Sequence, residues 1–388
     1  MDQIQNKTKR RIIKISGAIL FLAVFFVLVY IVNRGNTAFQ AISAGQYVPG
    51  VVESVLEDNT EQDYTYSEGL YLGTQKIKVK ITGGEHKGEI HEITNSLSTL
   101  HNVYAQKGTR VMLLITPQSN GSYQVSVYSY DRSFVLAAFV MLFFAGLCII
   151  SGKKGVKAVA GLIFTIACIV LLLIPLVARG YSPVMVTVVL VAAITVSVFI
   201  LLDGICVKTV ASMISTMGGV LFAGICSLVV QKIAHLSGFQ MDSAENILLI
   251  SSSQNAIHIK GLLTACILIA ALGAVMDVAM SISSAVCEVY EANHRLSFKE
   301  LFTSGMNVGR DAMGTMANTL ILAFAGSSLN LLLLVFSYGI PFYRFLNTDQ
   351  IAIEILQAVG GSLGIISAVP IAAAVVSGLI CRKKGKSL

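Results

Sequence analysis

Few side chains in this sequence are placed to do chemistry, and the plainest is Asp277, the only charged residue between Gly261 and Cys287. An ionisable group near a bilayer centre costs about 3 kcal/mol or more on insertion scales, so it persists where it has a partner or a task. Ser281, Ser284, Glu288 and Glu291 follow Asp277 at spacings of 4, 3, 4 and 3 residues. One helical face therefore carries polar groups from mid-membrane to a charged end. A second long apolar helix opens with Arg310 and Asp311 and carries Thr315, Asn318 and Thr319. Asp311, Thr315, Asn318 and Thr319 share a face, and two antiparallel helices can set these stripes against each other. The chemistry expected is a proton or ion relay through Asp277, Ser281, Thr315, Asn318 and Thr319. Glu288, Glu291, Arg310 and Asp311 would form its cytoplasmic exit. Each elementary charge crossing the membrane potential is worth about 2.3 kcal/mol per 100 mV, enough to bias a conformational equilibrium. The plainer alternative is a permanently protonated Asp277 bonded to Asn318 or a threonine, holding two helices together. Asp203 and Asp311, near helix ends, read as interfacial groups neutralised by Lys208 and Arg310.

These residues need helices to position them, and composition supplies the helices. The 388 residues are 55% hydrophobic and only 13% charged, where a soluble domain would carry about a quarter charged residues. The mean hydropathy is +0.75. Repeated apolar runs of around 20 residues predict a polytopic helical membrane protein. A basic stretch from Lys7 to Lys14 precedes an apolar run, Ile15–Val32, which Arg34 follows at once. This reads as an uncleaved anchor with a cytoplasmic N-terminus. Seven more spans are expected at about 133–151, 157–178, 183–202, 208–230, 261–286, 312–337 and 354–380. Eight spans put both termini in the cytoplasm. Lysine and arginine agree: Lys153, Lys154, Lys157, Lys208, Arg295, Lys299, Arg310 and the tail from Arg382 to Lys386 all fall inside. The net charge of +7 thus sits in orientation signals and calls for no nucleic acid. The loop 231–260 holds one short apolar run, Ile247–Ile250, expected on the membrane surface.

Residues 34–132 differ in kind, with eight basic and ten acidic side chains and turn residues throughout. Lys76, Lys78 and Lys80 alternate with Ile77, Val79 and Ile81, the period of a strand with one wet face. Similar runs at Tyr47–Leu56, Glu89–Thr94, Thr109–Thr116 and Ser122–Tyr128, with an Asn120-Gly121 turn, predict five strands. A small OB-like barrel or sandwich follows, placed outside the cell between the first two spans. His86, His91, Glu85, Glu89 and Glu92 crowd one stretch of it. His86 and His91 are an odd number apart and would face opposite sides of one strand, so the stretch reads as a solvated hairpin and not as a metal site.

Other patterns read as packing. Ser215, Gly219 and Ala223 recur every four residues, as do Gly360 and Gly364, giving small faces for close helix contact, and Pro370 marks a kink. Ser297 and Glu300 form a capping box opening a short amphipathic helix, with Phe298, Leu301 and Phe302 on one side, expected along the inner membrane surface. Gly360–Gly364 spells G-x-S-x-G, but a nucleophile elbow needs a strand-to-helix turn and a histidine, and no histidine lies in a span. The seven cysteines lie in or beside apolar spans and form no C-x-x-C pair, so they read as small packers. No enzyme, cofactor or metal is expected.

Gly273 with Asp277, then Glu288 and Glu291, Phe298–Val308, Asp311-Ala312 and Asn318-Thr319-Leu320-Ile321 together resemble the signature of the RND permease superfamily, especially its SecD and SecF export branch. That resemblance implies a proton-relay role for Asp277, with Asn318 and Thr319 as its polar neighbours. It also implies two bundles facing each other, hence a homodimer or a paralogous membrane partner. The chain departs from that pattern in its two spans before the bundle, its small outer domain, and Asn318 in place of a threonine. Over nearly its whole length the sequence is similar to the YibE/F family of bacterial membrane proteins. The expectation is a plasma-membrane permease-like component driven by ion motive force, moving a small molecule, lipid or polypeptide. The competing expectation is a non-transporting scaffold or sensor whose outer domain binds a partner. A membrane hydrolase is a distant third.

Overall fold

A computed structural model describes residues 23–34, 45–65, 69–118, 122–241, 244, 247 and 257–384. The chain divides into two compact units, Thr37–Ile150, and Met1–Asn36 with Ser151–Leu388.

In the first unit, β1 (Gln46–Asp63), β2 (Leu70–Ile81), β3 (Ile90–Leu97), β4 (Arg110–Pro117) and β5 (Tyr123–Tyr130) form one antiparallel sheet in the order β3-β2-β1-β4-β5. All five expected strands are present. Alternation fixes the register, because a slip of one residue would turn the whole apolar set outward. On β2, Gln75, Ile77, Val79 and Ile81 are fully buried. Lys76, Lys78 and Lys80 take the wet face, 3.8, 3.1 and 4.0 Å from Glu57, Glu92 and Glu53. Register shifts near Val52, Val55 and Met112 bend the strands. They curl the sheet into a half-barrel around Val48, Val52, Ile77, Val79, Val111 and Leu113. Gln75 and Asn95 are its buried polar groups. Gln75 Oε1 accepts from Ala105 N at 2.9 Å, and Asn95 Nδ2 donates to Val103 O at 2.7 Å. Together they pin the segment between β3 and β4. β1 and β2 run past the core as a two-stranded arm, pairing Asp58–Asp63 with Leu70–Gln75. The Asn120-Gly121 turn lies outside the described residues.

The second unit is helical. α1 (Ala23–Asn33) is the described part of the expected anchor, and Ile15–Leu22 lies outside the described residues. Phe25 of α1 lies 5.2 Å from Phe164, and Asn33 Nδ2 donates to Leu171 O at 3.0 Å. α2 (Ser133–Cys168), whose residues up to Ile150 belong to the first unit, leaves helical geometry at Gly152 (φ 54, ψ −130), then continues through a π-helical turn, Ile169–Leu173, into α3 (Ile174–Ala178). There follow α4 (Pro183–Asp203), α5 (Val207–Ile233), α6 (Leu262–Ala292), α7 (Phe298–Ser327), α8 (Leu329–Ser337), α9 (Phe342–Leu346) and α10 (Asp349–Lys384). Most of Ile247–Ile250 is outside the described residues.

Among the described residues five helical stretches are long and apolar enough to cross a membrane, or six if α7 and α8, bent by 59°, form one span. The expected count was eight. The expected spans 133–151 and 157–178 lie in a single 46-residue stretch, Ser133–Ala178, broken at Gly152.

The short surface helix expected at Phe298–Val308 is not separate. It forms the opening turns of α7, which runs unbroken to Ser327. Glycine explains the difference. A Cβ on Gly305 would lie 2.9 Å from Val286 and 3.0 Å from Ala373, and one on Gly309 would collide with Val369. These turns are therefore buried against α6 and α10. The capping box at their start is present, with Ser297 N donating to Glu300 Oε2 at 2.8 Å.

Ser215, Gly219 and Ala223 are buried on α5. A Cβ on Gly219 would lie 2.9 Å from Gly364 O and from Ala368 Cβ, so the two small-residue faces meet each other. Ser362, in the G-x-S-x-G string, is buried within α10 and donates to Ala358 O at 2.8 Å.

Candidate functional site

The central helix of the second unit is α6. It buries Ala271, Leu272, Val275, Val278, Ala279, Ile282 and Val286 against its neighbours. Its remaining face holds Gly273, Asp277 and Ser281, all exposed. A Cβ added at Gly273 would meet nothing within 4 Å. The helix thus turns its apolar side to the bundle and its one mid-span carboxyl away from it.

α7 behaves alike. Leu301, Gly305 and Gly309 are buried, while Arg310, Asp311, Gly314, Thr315, Asn318 and Thr319 are exposed. Gly314 also has open space around it. Thr315 and Thr319 donate within their own helix, to Ala312 O and Thr315 O, each at 2.9 Å. Among the described residues no hydrogen bond joins Asp277 to Asn318, Thr315 or Thr319, and no ion pair joins Arg310 to Asp311. α6 and α7 are packed neighbours through Ile282 and Val286 against Gly309 and Gly305. Among the described residues nothing covers their polar faces.

Further along α6 the polar stripe enters a cavity of about 590 Å³. Ser284, Glu288 and Glu291 line it from α6, His294 from the turn after α6, Lys208 from α5 and Lys383 from α10. Lys208 Nζ is 2.6 Å from Asp203 Oδ2, the neutralising pair expected for that carboxylate. The two expected exit residues, Glu288 and Glu291, therefore share this cavity, and Arg310 and Asp311 lie elsewhere. A carboxyl within the apolar span and a cavity lined by charged side chains at its end thus lie along one face of α6.

Two polar groups escaped the sequence reading. Gln231 is buried and donates to Ser227 Oγ at 2.7 Å and Thr264 Oγ1 at 2.9 Å, tying α5 to α6. Glu354 Oε2 on α10 is buried with no hydrogen-bond partner among the described residues. Its only signal was a charge at the first position of an expected span. Four side-chain hydroxyls inside the helices, Thr187, Thr216, Ser283 and Ser377, are also buried without a partner among the described residues.

The β domain holds a second cluster. His86 lies in the turn before β3 and not on the strand, so its odd separation from His91 does not divide the two rings. Both face Glu89: His86 Nδ1 is 3.1 Å from Oε1 and His91 Nε2 is 3.0 Å from Oε2. Tyr123 of β5 donates to Glu89 Oε2 and lies over His86, ring centroids 4.3 Å apart. The tyrosine bond first, then the two imidazoles, hold the Glu89 carboxyl down at about 2, and the same bond to Glu89 raises the Tyr123 hydroxyl. On the arm, the Thr60 hydroxyl, Gln75 and Tyr104 hold Asp58 below its ordinary value. Among the described residues no three His, Cys, Asp or Glu side chains converge on one point as metal ligands.

The family model described as YibE/F-like protein matches residues 139–382, and that of the YibE/F family N-terminal domain matches residues 46–130. Neither a curated protein nor a solved structure matches the chain. The first match covers the helical unit with its polar stripe, the second covers the half-barrel, and with its apolar helices the chain is a membrane protein belonging to the YibE/F-like family.

Proposed function

We propose that the protein is a permease-like component of the plasma membrane, coupled to proton or ion motive force through Asp277. The observation that carries this reading is the polar stripe of α6. It begins at a carboxyl in the middle of an apolar span and ends in a cavity lined by Glu288 and Glu291. Asp277 takes up and releases the ion, Ser281 and Ser284 continue the path, and the cavity is its cytoplasmic mouth. Thr315, Asn318 and Thr319 belong to the same path, Asn318 and Thr319 as the resemblance to the RND superfamily implies and Thr315 by its place on their helix face.

Eight crossings follow if α1 belongs to the anchor, Gly152 divides Ser133–Ala178 into two spans and α7 with α8 makes one. Both termini are then cytoplasmic and the β domain, a partly open OB-like barrel, is outside. Asp277 and Asn318 on an open face would meet lipid in a single copy, at a cost of several kcal/mol. A second copy covering that face removes the cost. The passenger is a small molecule, lipid or polypeptide.

The test needs no substrate. Proteoliposomes on a solid-supported membrane are given a pH jump, and the displaced charge is recorded. Wild type is expected to give a transient current that Asp277→Asn lacks while remaining folded. Equal currents from both would reject ion coupling and favour the scaffold or sensor.

A further inference from the structure

α5 and α6 run antiparallel, and their contacts fix the register. Gln231 Nε2 donates to Thr264 Oγ1 at 2.9 Å. A Cβ on Gly224 would lie 2.8 Å from Leu268, and one on Gly219 would lie 2.9 Å from Val275. Ser212 Oγ lies 3.2 Å from Ala279 O and 3.8 Å from Met280 Sδ. Each step toward the start of α5 is thus matched by a step of nearly the same length toward the end of α6. Continued past Ser212, the register sets Cys206 at the start of α5 opposite Cys287. Cys287 is two helical turns beyond Met280 and so lies on the same face of α6.

We propose that Cys206 and Cys287 are a modification site, a dithiol that a small-molecule disulfide oxidises to one disulfide bond between α5 and α6. Both cysteines line the cavity at the end of α6, where a dissolved oxidant reaches them, and Cys206 is exposed. A charge on Cys206, on Lys208 or on Glu288 and Glu291 is felt at Cys287, so these groups share one small space. A disulfide needs Cα atoms within about 7 Å of each other. The contact of the Ser212 hydroxyl with the Ala279 carbonyl shows that the two backbones approach within one short side chain. Cys206 caps α5 in an extended conformation (φ −145, ψ 171), outside the helix proper. The chemistry is two thiol–disulfide exchanges. The Cys206 thiolate attacks one sulfur of the small disulfide, and the first small thiol leaves with the electron pair of the broken S–S bond and takes a proton. Cys287 then attacks the Cys206 sulfur of the mixed disulfide, and the second small thiol leaves in the same way. The protein loses two electrons and two protons, and the two small thiols carry them.

Cys287 directly precedes Glu288, so the bond ties the glutamate-bearing end of α6 to the start of α5 and closes the cavity between them. That consequence rests on the permease reading, in which the cavity is the cytoplasmic mouth. The cytoplasm is reducing, and protein disulfides there are transient and redox-sensing. The bond itself rests on the register of α5 and α6 alone.

The experiment uses the full-length protein, reduced and in detergent. It is incubated with oxidised glutathione, the remaining thiols are alkylated, and its peptides are read by mass spectrometry without reduction. Two of the seven thiols are expected to be lost to one bond joining Cys206 with Cys287, which dithiothreitol reverses. In Cys287→Ser, glutathione is expected to stay on Cys206. Wild type with glutathione on either cysteine and no bond, a bond to another cysteine in its place, or all thiols unchanged would overturn the proposal. The wild-type readout depends on no variant. In the pH-jump assay the bonded protein is expected to lose its transient current and regain it on reduction. An unchanged current from bonded protein would overturn the closing of the mouth. A reduced protein without any current would count against the permease reading and not against the bond.

Discussion

Asp277 and Gln75 show how differently two polar residues in apolar surroundings are read. Gln75 precedes the alternating run of Lys76–Ile81 and carries no signal there, yet it is fully buried and makes bonds to Asp58, Asn95 and both backbone groups of Ala105. Gln75→Ala leaves those groups unsatisfied, at about 1–3 kcal/mol for a buried polar group. The β domain's unfolding transition in urea should show that loss, and an unchanged midpoint would contradict it. Glu89→Gln tests the seam through pH. The carboxyl is lowered from 4.5 to about 2, so its contribution is complete above about pH 4.5–5 and is lost as pH falls toward 2. The stability gap between wild type and Glu89→Gln should shrink as pH falls from about 4.5 toward 2. A gap that grew in acid would mean the opposite sign. Asp277 was readable because an apolar run leaves a lone carboxylate conspicuous. The Glu89 cluster was not, because its partner Tyr123 is 34 residues away and the turn carrying His86 breaks strand alternation.

Strands and helices differ in how much of them alternation and hydropathy reveal. β3, β4 and β5 appear within three residues of their expected bounds, since alternation marks a dry and a wet face on each. The outer end of β1, Asp58–Asp63, was invisible because it is polar on both faces, and only its pairing with β2 makes it a strand. α7 misled for a related reason. Phe298, Leu301 and Phe302 trace the same stripe whether the opposite surface is a headgroup layer or another helix. Gly305 and Gly309 are what admit α6 and α10, and a glycine carries no such label by itself. Glycines thus give a contrast to measure. Gly219→Val places methyl groups against Gly364 O and Val275 and should destabilise the bundle by about 1–3 kcal/mol, as overpacking does. Gly273→Ala and Gly314→Ala, with nothing within 4 Å, should leave thermal stability in detergent within about 0.5 kcal/mol or raise it slightly. If all three behaved alike, the packing described for α5 and α10 would be wrong.

At the level of the molecule, composition alone separated a helical membrane portion from a β domain, and both are present. The count of crossings was harder to draw from the chain. Apolar windows do not distinguish two spans from a long helix broken at Gly152, nor one span from α7 bent against α8. The uncovered faces of α6 and α7 predict that copies meet there. In a cysteine-depleted background, Gly314→Cys is expected to cross-link between copies in the membrane, whereas a cysteine on the buried face at Gly219 should not. The central claim is that Asp277 exchanges an ion with water, as opposed to holding helices together. Infrared titration of the lipid-reconstituted protein, with Asp277→Asn subtracted, observes that carboxyl directly. A carboxyl band that changes as pH is varied across the accessible range is expected, since a proton-exchanging group must visit both protonation states. A band that stays constant across the accessible range would contradict it and leave Asp277 a structural group.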